Sequence, residues 1–526
     1  MLFNSYEFIL FFLPITLIVF IFLSRINTEK AIGWLVLASL FFYGWWNPDY
    51  LLLIIGSMGV NYFIGTLINR TLQEKGRAKL ILIIGIILNL SLLGYFKYAN
   101  FFLESAAYAL SSNFELHHII LPLAISFFTF QQIAFLVDAY KGITKEYKFL
   151  HYALFVTFFP QLIAGPIVHH KEMLPQFMDR ANMRFKLSNI TIGLAIFSIG
   201  LFKKAVLADG IAVYASPVFA LSDAGEQLQF FQAWGGALAY TLQLYFDFSG
   251  YSDMAIGGAR LFGIKLPLNF HSPYKSLNIV EFWRRWHITL SRFLRDYIYI
   301  ALGGNRKGRL QRYINLFVTM LLGGLWHGAG WTFVIWGALH GTYLIINHFW
   351  HFIAKALKLT FLETSKLWRG FSWALTFTAV VVGWVFFRAS HFDSAVGMLQ
   401  AMAGLNGVSL PYGIAAALGG FSSYLQTAGF EFVHGGGAKF VLTYLWILAL
   451  LPIALIMPNT QQIMSRFSPS FNDIEDNAKT TLLPQNPAYR RFKFQFNVRW
   501  AITLALTLTF GMLALAQVSE FLYFQF

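Results

Sequence analysis

Two histidines, each directly preceded by a tryptophan, are the residues of this chain best suited to chemistry. His287 lies in the basic, amphipathic stretch FWRRWHITLSRFLRDYIYI, and His327 lies forty residues later in the apolar stretch LLGGLWHGAGW. An imidazole is costly to bury and changes its charge near neutral pH, so in an apolar setting it usually has a function. We therefore predict that any reaction of this chain is centred on these two side chains.

His327 is predicted to be a general base. The small residues of GGLWHGAG let helices approach closely and leave room for a ligand. In apolar surroundings the imidazole stays neutral and is able to accept a proton. The alternative is a histidine that only forms a hydrogen bond to a neighbouring helix.

His287 is predicted to orient the reacting groups or to donate a hydrogen bond to a substrate carbonyl. The alternative is a residue of an interfacial aromatic belt, beside Trp283 and Trp286. Forty residues of separation cannot place both histidines on one helix face, so they can meet only through tertiary folding. Without Cys or paired carboxylates no metal site is expected, and the remaining histidines of this region are interpreted as packing or interface residues: His340, His348 and His351.

Polar side chains follow an apolar run at QLYFDFSGYSDMAIG. Tyr245 and Asp253 in this segment, together with Trp286 and Trp326, are predicted to line the site. Buried carboxylates need partners, so the alternative for this segment is a helix-end cap. Its serines are poor nucleophile candidates, because the sequence contains neither a G-x-S-x-G elbow nor an adjacent His.

Residues 264–312 are strongly basic, with ten Lys or Arg against Glu281 and Asp296. A helix over about 280–301 is predicted, with its aromatic and aliphatic residues on one face and its arginines on the other. Such a helix would lie along, or dip into, the cytoplasmic membrane interface. The arginines are predicted either to hold the phosphates of a cytoplasmic donor or to anchor anionic lipid: Arg284, Arg285, Arg292 and Arg295.

Composition identifies an all-α, polytopic integral membrane protein. The 526 residues are 57% hydrophobic and 12% charged, and apolar runs long enough to cross a bilayer recur from end to end. The net charge of +15 is assigned to cytoplasmic loops and not to nucleic-acid binding, because the basic residues fall between apolar runs. The absence of cysteine excludes a Cys nucleophile, thiolate metal sites and disulfides.

About 11–13 transmembrane helices are predicted, at 8–24, 31–46, 50–68, 79–97, 118–138, 190–208, 230–248, 313–326, 331–353, 370–387, 440–457 and 498–520. The first is expected to be a retained span and not a signal peptide. Basic residues follow the first, third and fifth spans, which places the N-terminus outside, in the periplasm. Short loops and no organelle-targeting segment indicate a bacterial inner membrane.

Three segments depart from this alternation. Pro160, Gly165 and Pro166 interrupt 151–168, which is predicted to be a re-entrant hairpin enclosed by protein around a cavity. The Gly-rich segment 405–438 is interpreted as an external loop or partly inserted segment, and 459–497 as a cytoplasmic loop before the last span, 498–520. The whole chain, 1–526, is predicted to be a single membrane-embedded domain.

Several blocks together resemble the membrane-bound O-acyltransferase family, and within it the alginate O-acetylase and peptidoglycan O-acetyltransferase branch. The matching stretches include the opening MLFNSYEFILFFLP, FFPQLIAGPI at 158–167, QLYFDFSGYSDMAIG at 243–257 and LLGGLWHGAGWTFVIWGALHG at 321–341. The resemblance is dense over about residues 1–400, and its motif core covers about 118–355.

The resemblance implies a helical ring or funnel in which the two histidines meet in a tunnel through the membrane. The family's essential histidine corresponds to His327, and an upstream position that is Asn or His corresponds to His287. It also implies transfer of acetyl groups toward an extracytoplasmic polysaccharide such as alginate or peptidoglycan, with a periplasmic acetyltransferase partner protein. Acetyl-CoA is the expected donor substrate, and no permanently bound cofactor is expected.

Two alternatives to this function stay open at the level of sequence. One is the D-alanyl transferase of teichoic acid, which shares the fold and takes its donor from a carrier protein. The other is a non-enzymatic exporter of polysaccharide or acyl groups, since polar residues in discontinuous helices also occur in transporters.

Overall fold

The computed structural model describes residues 1–112, 119–144, 148–359, 365–471, 487–516 and 522. Over these residues the regular secondary structure is helical except for one short parallel pair of strands, β1 Val408–Pro411 and β2 Phe430–Val433. The predicted all-α class is confirmed. Parts of three predicted segments lie outside the described residues: the start of the span 118–138, the middle of the loop 459–497 and the end of the span 498–520.

The helices of the first half, within the described residues, are α1 Leu13–Ile26, α2 Thr28–Gly44, α3 Tyr50–Arg70, α4 Lys75–Leu93, α5 Ala99–Leu110, α6 Ile125–Tyr140, α7 Phe149–Thr157, α8 Phe159–Leu162, α9 His170–Met178, α10 Leu187–Phe202, α11 Asp209–Asp223 and α12 Phe230–Leu261. Single π-helical turns extend them at Glu7–Phe12, Gly94–Tyr98 and Lys203–Ala208.

The described helices of the second half are α13 Ile279–Arg285, α14 Ile288–Phe293, α15 Arg309–His327, α16 Trp331–Ala356, α17 Lys366–Arg388, α18 Phe392–Met402, α19 Tyr412–Leu418, α20 Phe421–Thr427, α21 Gly437–Leu455, α22 Thr460–Ile463 and α23 Val498–Ala514. A π-helical turn, Leu294–Tyr299, continues α14. Short 3₁₀ turns lie at Pro273–Lys275, Ser465–Phe467 and Pro487–Phe492.

Each of the twelve predicted membrane segments coincides with a helix in the described part of the chain: α1 to α4, α6, α10, α12, α15, α16, α17, α21 and α23. By length and apolarity, six described helical stretches could cross a bilayer: Glu7–Ile26, Tyr50–Arg70, Lys75–Leu110, Leu187–Asp223, Lys366–Arg388 and Gly437–Leu455. Others, such as α12, carry polar side chains that are buried inside the protein, as Asp247 and Asp253 are. Large apolar side chains such as Leu52 and Phe510 cover the outside.

Glycines allow the central helices to approach at backbone distance. A Cβ on Gly257 of α12 would lie 2.6 Å from the carbonyl oxygen of Gly193 on α10. The same close contact joins α15 to α16, where a Cβ on Gly324 would overlap the carbonyl of Phe333. Small residues at a helix crossing bring backbones together. The second contact therefore holds α15 against α16, and His327 lies at the turn between these two helices.

The predicted helix over 280–301 is wrong. The chain leaves α13 at Trp286, which is extended (φ −97°, ψ 128°), and His287 is left-handed (φ 42°, ψ 54°) before α14 begins. An extended segment pairs with this break: the amide of His271 donates to the Arg285 carbonyl and the amide of Ile288 to the Asn269 carbonyl, both at 3.0 Å. Residues 281–294 are mostly buried in protein. Their position relative to a membrane interface stays a prediction.

The segment 151–168 is broken as predicted, into α7, α8 and an irregular stretch, and all of it is buried. Its orientation toward either membrane face stays a prediction. The segment 405–438 is more ordered than a loop, because it forms β1, α19, α20 and β2 in sequence. It contacts the start of α12, where the Phe230 amide donates to the Gly407 carbonyl at 3.1 Å.

Two neighbouring glycines of α12 test the backbone contact. Gly257→Ala places a methyl group against the carbonyl of Gly193, so we expect it to lower the free energy of unfolding by about 1–3 kcal/mol. Gly258→Ala is the matched control, because no atom lies within 4 Å of a Cβ there. Unfolding by SDS in mixed micelles compares the two; equal stabilities would contradict the contact.

Candidate active site

His327 is the last residue of α15, at the turn into α16. Gly328 continues the chain in an extended conformation (φ −152°, ψ 148°), so the helix ends at the histidine. The side chain is buried among aromatic rings, with ring centroids of Trp326, Trp336 and Phe387 at 5.0, 5.1 and 5.2 Å. These walls exclude water, which suits an imidazole that accepts a proton from a bound substrate.

His287 is fully buried, and its ring is oriented by an asparagine that the sequence analysis missed. Its Nδ1 lies 3.1 Å from Oδ1 of Asn269. Thr289 donates to the same oxygen from its hydroxyl at 2.8 Å, and the Asn269 amide nitrogen donates to Ser252 at 3.2 Å. This network makes Oδ1 an acceptor, so Nδ1 of His287 carries the proton and Nε2 presents a lone pair.

The two histidines, forty residues apart in sequence, meet in the fold. Their ring centroids are 6.2 Å apart with an interplanar angle of 57°, and Trp326 contacts both rings. Nε2 of His287 has no hydrogen-bond partner among the described residues. A small reacting group placed between the rings could therefore contact both imidazoles, which is the arrangement that the sequence analysis required.

Of the two tryptophans predicted to line the site, only Trp326 contacts both histidines. The ring of Trp286 turns away into a second aromatic cluster, 4.8 Å from Trp384 and 5.0 Å from Phe270. Trp384 in turn packs on Phe387 at 5.4 Å. Trp286 therefore contacts His327 only indirectly, because it packs on Trp384, which packs on Phe387 beside the His327 ring.

Tyr245 and Asp253, both on the buried helix α12, have Lys203 as a common neighbour. The Nζ of Lys203 lies 5.8 Å from the centre of the Tyr245 ring, which packs on Tyr274 at 5.3 Å. Asp253 accepts hydrogen bonds from Lys203 at 2.8 Å and from Thr460 at 2.6 Å. These contacts give Asp253 the partners that a buried carboxylate needs, although it lies within α12 and does not cap a helix end.

The four arginines do not form one cluster. Arg285 is completely buried, where it donates to Glu281 at 2.8 Å and to the His271 carbonyl at 3.2 Å, so its predicted contact with donor phosphates is wrong. Arg292 forms two hydrogen bonds to Glu172, at 2.6 and 2.9 Å. Arg284 and Arg295 are exposed, and each lies beside a carboxylate: Arg284 is 3.7 Å from Glu281, and Arg295 donates to Asp296 at 2.7 Å. Their contact with donor phosphates stays a prediction.

The other histidines have packing contacts, in agreement with their interpretation. Nδ1 of His340 accepts a hydrogen bond from Trp283 at 3.2 Å, and its ring lies 4.7 Å from Trp336. Arg312 contacts the ring of His348 at 3.1 Å. Within the described ranges, no group of three or more His, Asp or Glu side chains is arranged to hold a metal ion.

A cavity of about 300 Å³ lies beside the turn that follows His327. Its wall combines one cation, Lys97, with an amide, small residues and apolar side chains: Phe96, Asn100, Ile119, Leu121, Gly328, Ala329 and Phe333. Sequence reasoning missed Lys97, which sits in an otherwise apolar helix. An isolated ionisable residue within a span was the signal that could have found it.

The comparisons with known proteins agree with this geometry. The profile of the membrane-bound O-acyltransferase family, MBOAT, matches residues 77–385. The chain therefore belongs to this family, and it is an O-acyltransferase. The predicted alternative of an exporter that makes no bonds is wrong, because the family model and the relatives below identify the chain as an O-acyltransferase.

Three relatives show where in the family the similarity is high. A Helicobacter pylori protein named “Peptidoglycan O-acetyltransferase” is 49% identical over 437 residues, covering 78% of this chain and 81% of that protein. A Pseudomonas aeruginosa protein named “Probable alginate O-acetylase AlgI” is 44% identical over 408 residues, covering 76% and 75%. A Bacillus subtilis “Teichoic acid D-alanyltransferase” is 28% identical over 287 residues, covering 52% and 71%.

Asn269 gives a direct test of the site. Asn269→Leu removes the acceptor that orients His287, and since small misplacements of reacting groups are costly, we expect the acyl-transfer rate to fall about 10–100-fold. Ser252→Ala is the matched control, because it removes the hydrogen bond of the Asn269 amide nitrogen and leaves the contact between Oδ1 and His287. Rates of purified, correctly folded variants decide: an unchanged rate in Asn269→Leu contradicts the assignment.

Proposed function

We propose that this chain is a membrane O-acetyltransferase that passes an acetyl group from a thioester donor, acetyl-CoA, toward a polysaccharide outside the cytoplasm. The meeting of His287 and His327 in a buried aromatic chamber is the observation that carries the proposal. The names of the two most similar relatives above support peptidoglycan or an alginate-like polymer as the acceptor class.

In the proposed reaction, the oxygen of an acceptor hydroxyl attacks the carbonyl carbon of the thioester. His327 removes the hydroxyl proton as the carbon–oxygen bond forms, the carbon–sulfur bond then breaks, and the proton passes to the departing sulfur. General-base assistance of this kind contributes on the order of 10²–10⁴ in rate. The reaction needs no covalent enzyme intermediate, which suits a chain without cysteine.

His287 is the proposed orienting group for the acceptor. Because its Nδ1 proton is directed to Asn269, its Nε2 accepts hydrogen bonds. This tautomer argues against the alternative in which His287 donates to the substrate carbonyl. Because the reacting hydroxyl gives its only proton to His327, Nε2 of His287 would orient the acceptor by accepting a hydrogen bond from a second donor group of that acceptor.

The orientation in the membrane is part of the same proposal. Basic residues follow alternate early spans, as Arg25 and Arg70 do, and this pattern supports an inner-membrane protein with a periplasmic N-terminus. Acetyl-CoA would then enter from the cytoplasmic side, near Arg284 and Arg295. A periplasmic acetyltransferase partner protein, implied by the family resemblance, would complete delivery to the polymer.

The second candidate is transfer of D-alanine to teichoic acid. The similarity to teichoic acid D-alanyltransferases supports it, but this similarity is lower and covers less of the chain than the similarity to the acetyltransferases. Purified protein supplied with acetyl-CoA or with a D-alanyl thioester of a carrier protein separates the two candidates. We expect release of free thiol from acetyl-CoA.

Removing the proposed base is the main test. We expect His327→Ala to lower thiol release from acetyl-CoA by about 10²–10⁴-fold, because the acceptor hydroxyl loses its proton acceptor. The matched control is His351→Ala, which alters an exposed histidine on the neighbouring helix α16. Full polymer O-acetylation in cells whose only copy carries His327→Ala would reject the mechanism.

The donor side has its own test. The double variant Arg284→Gln and Arg295→Gln should raise the KM for acetyl-CoA by about three- to tenfold, as expected for two solvent-exposed charge contacts, with little change in kcat. Arg25→Gln with Arg70→Gln removes the same charge from a different part of the basic surface. An equal rise in KM in that control would show a nonspecific effect of net charge.

A further inference from the structure

Lys97 is an unusual residue for its place in the fold. It lies in the π-helical turn Gly94–Tyr98, inside the long apolar stretch Lys75–Leu110. A charged side chain in such a stretch is costly and normally needs a partner within the protein. In the described part of the chain no carboxylate forms an ion pair with Lys97, and backbone carbonyls take that place.

The two shortest hydrogen bonds of Lys97 go to the last carbonyls of the helix that carries the proposed base, and a third goes to the Ser126 hydroxyl at 3.5 Å. Its ammonium group donates to the carbonyl of Trp326 at 2.6 Å and to the carbonyl of His327 itself at 3.1 Å. Carbonyls at a helix C-terminus lack intrahelical partners and carry partial negative charge, so a cation there satisfies both needs. The next residue, Tyr98, donates to the Leu325 carbonyl at 2.8 Å.

Lys97 also forms part of the cavity wall beside this turn, together with Gly328 and Phe333. Its position is therefore different from that of an ordinary cap, because the group that fixes the end of α15 also borders an open volume next to the base. π-Helical turns are rare and occur frequently at functional sites. The position of the His327 ring depends on the end of α15, where Lys97 in the cavity wall binds the carbonyls of Trp326 and His327.

We propose that Lys97 is a positioning residue for His327: by binding the carbonyls of residues 326 and 327, its ammonium holds the base at the edge of the cavity. This inference rests on the proposed role of His327. Without the ammonium group, the end of α15 has no donor for these carbonyls from this wall, and the imidazole loses its fixed distance to a bound hydroxyl.

The experiment compares Lys97→Met with Lys97→Arg and with Tyr98→Phe. Lys97→Met preserves length without charge, and we expect kcat for thiol release from acetyl-CoA to fall about 10–100-fold. The KM for acetyl-CoA should stay within about twofold, since donor binding is not altered. Lys97→Arg keeps a cationic donor and should recover most of kcat.

Tyr98→Phe is the control for a purely structural cap. It removes a hydrogen bond from the same helix end without touching the cavity or the His327 carbonyl, so kcat should stay near that of wild type. Wild-type kcat in Lys97→Met overturns the proposal, as does an equal loss of kcat in Lys97→Met and Tyr98→Phe. If Lys97→Met does not fold, Lys97→Leu, which also lacks a hydrogen-bond donor, replaces it, and wild-type kcat in that variant likewise overturns the proposal.

His327→Ala separates the two levels of the argument. If His327→Ala is inactive while Lys97→Met keeps full kcat, only the positioning role fails. If His327→Ala stays active, the proposed function itself fails, whatever the result at Lys97.

Discussion

Lipid offers no hydrogen bonds, so every irregular piece of backbone at membrane depth must find its partners inside the protein. Both histidines of this enzyme lie on irregular backbone that is enclosed by protein: one in the break between α13 and α14, the other at the end of α15. Backbone pairing with residues 269–271 satisfies the first, and the ammonium of Lys97 satisfies carbonyls of the second. The hydrogen bonds that satisfy this irregular backbone are thus the same ones that position the two histidines.

Much of the fold follows from local sequence. Each of the twelve predicted apolar segments contains a helix. An apolar run of about twenty consecutive residues is a local signal, so its recognition needs no information from distant parts of the chain. The prolines of 151–168 likewise predicted a broken segment. The helix over 280–301 failed for the opposite reason. The sequence has the amphipathic period of a helix, but backbone hydrogen bonds with Asn269 and His271 interrupt the helix, and these are tertiary contacts.

The site shows the same division. The two Trp-His pairs were recognisable from residue type, yet the residues that hold them were not. Asn269 precedes its histidine by eighteen residues, and Lys97 acts on carbonyls about 230 residues further along the chain. Arg285 was misinterpreted because the sequence pattern did not show that its side chain is buried against Glu281, one turn away on the same helix. Charge in a sequence does not reveal whether it faces solvent.

The left-handed backbone of His287, with φ of 42°, limits what evolution can place there. Glycine apart, Asn, Asp and His adopt this conformation far more readily than other residues, and β-branched side chains hardly at all. The resemblance to the family implies a position occupied by either Asn or His. The backbone offers a reason for that restriction which is independent of catalysis, because a left-handed position accepts Asn and His more readily than most other side chains.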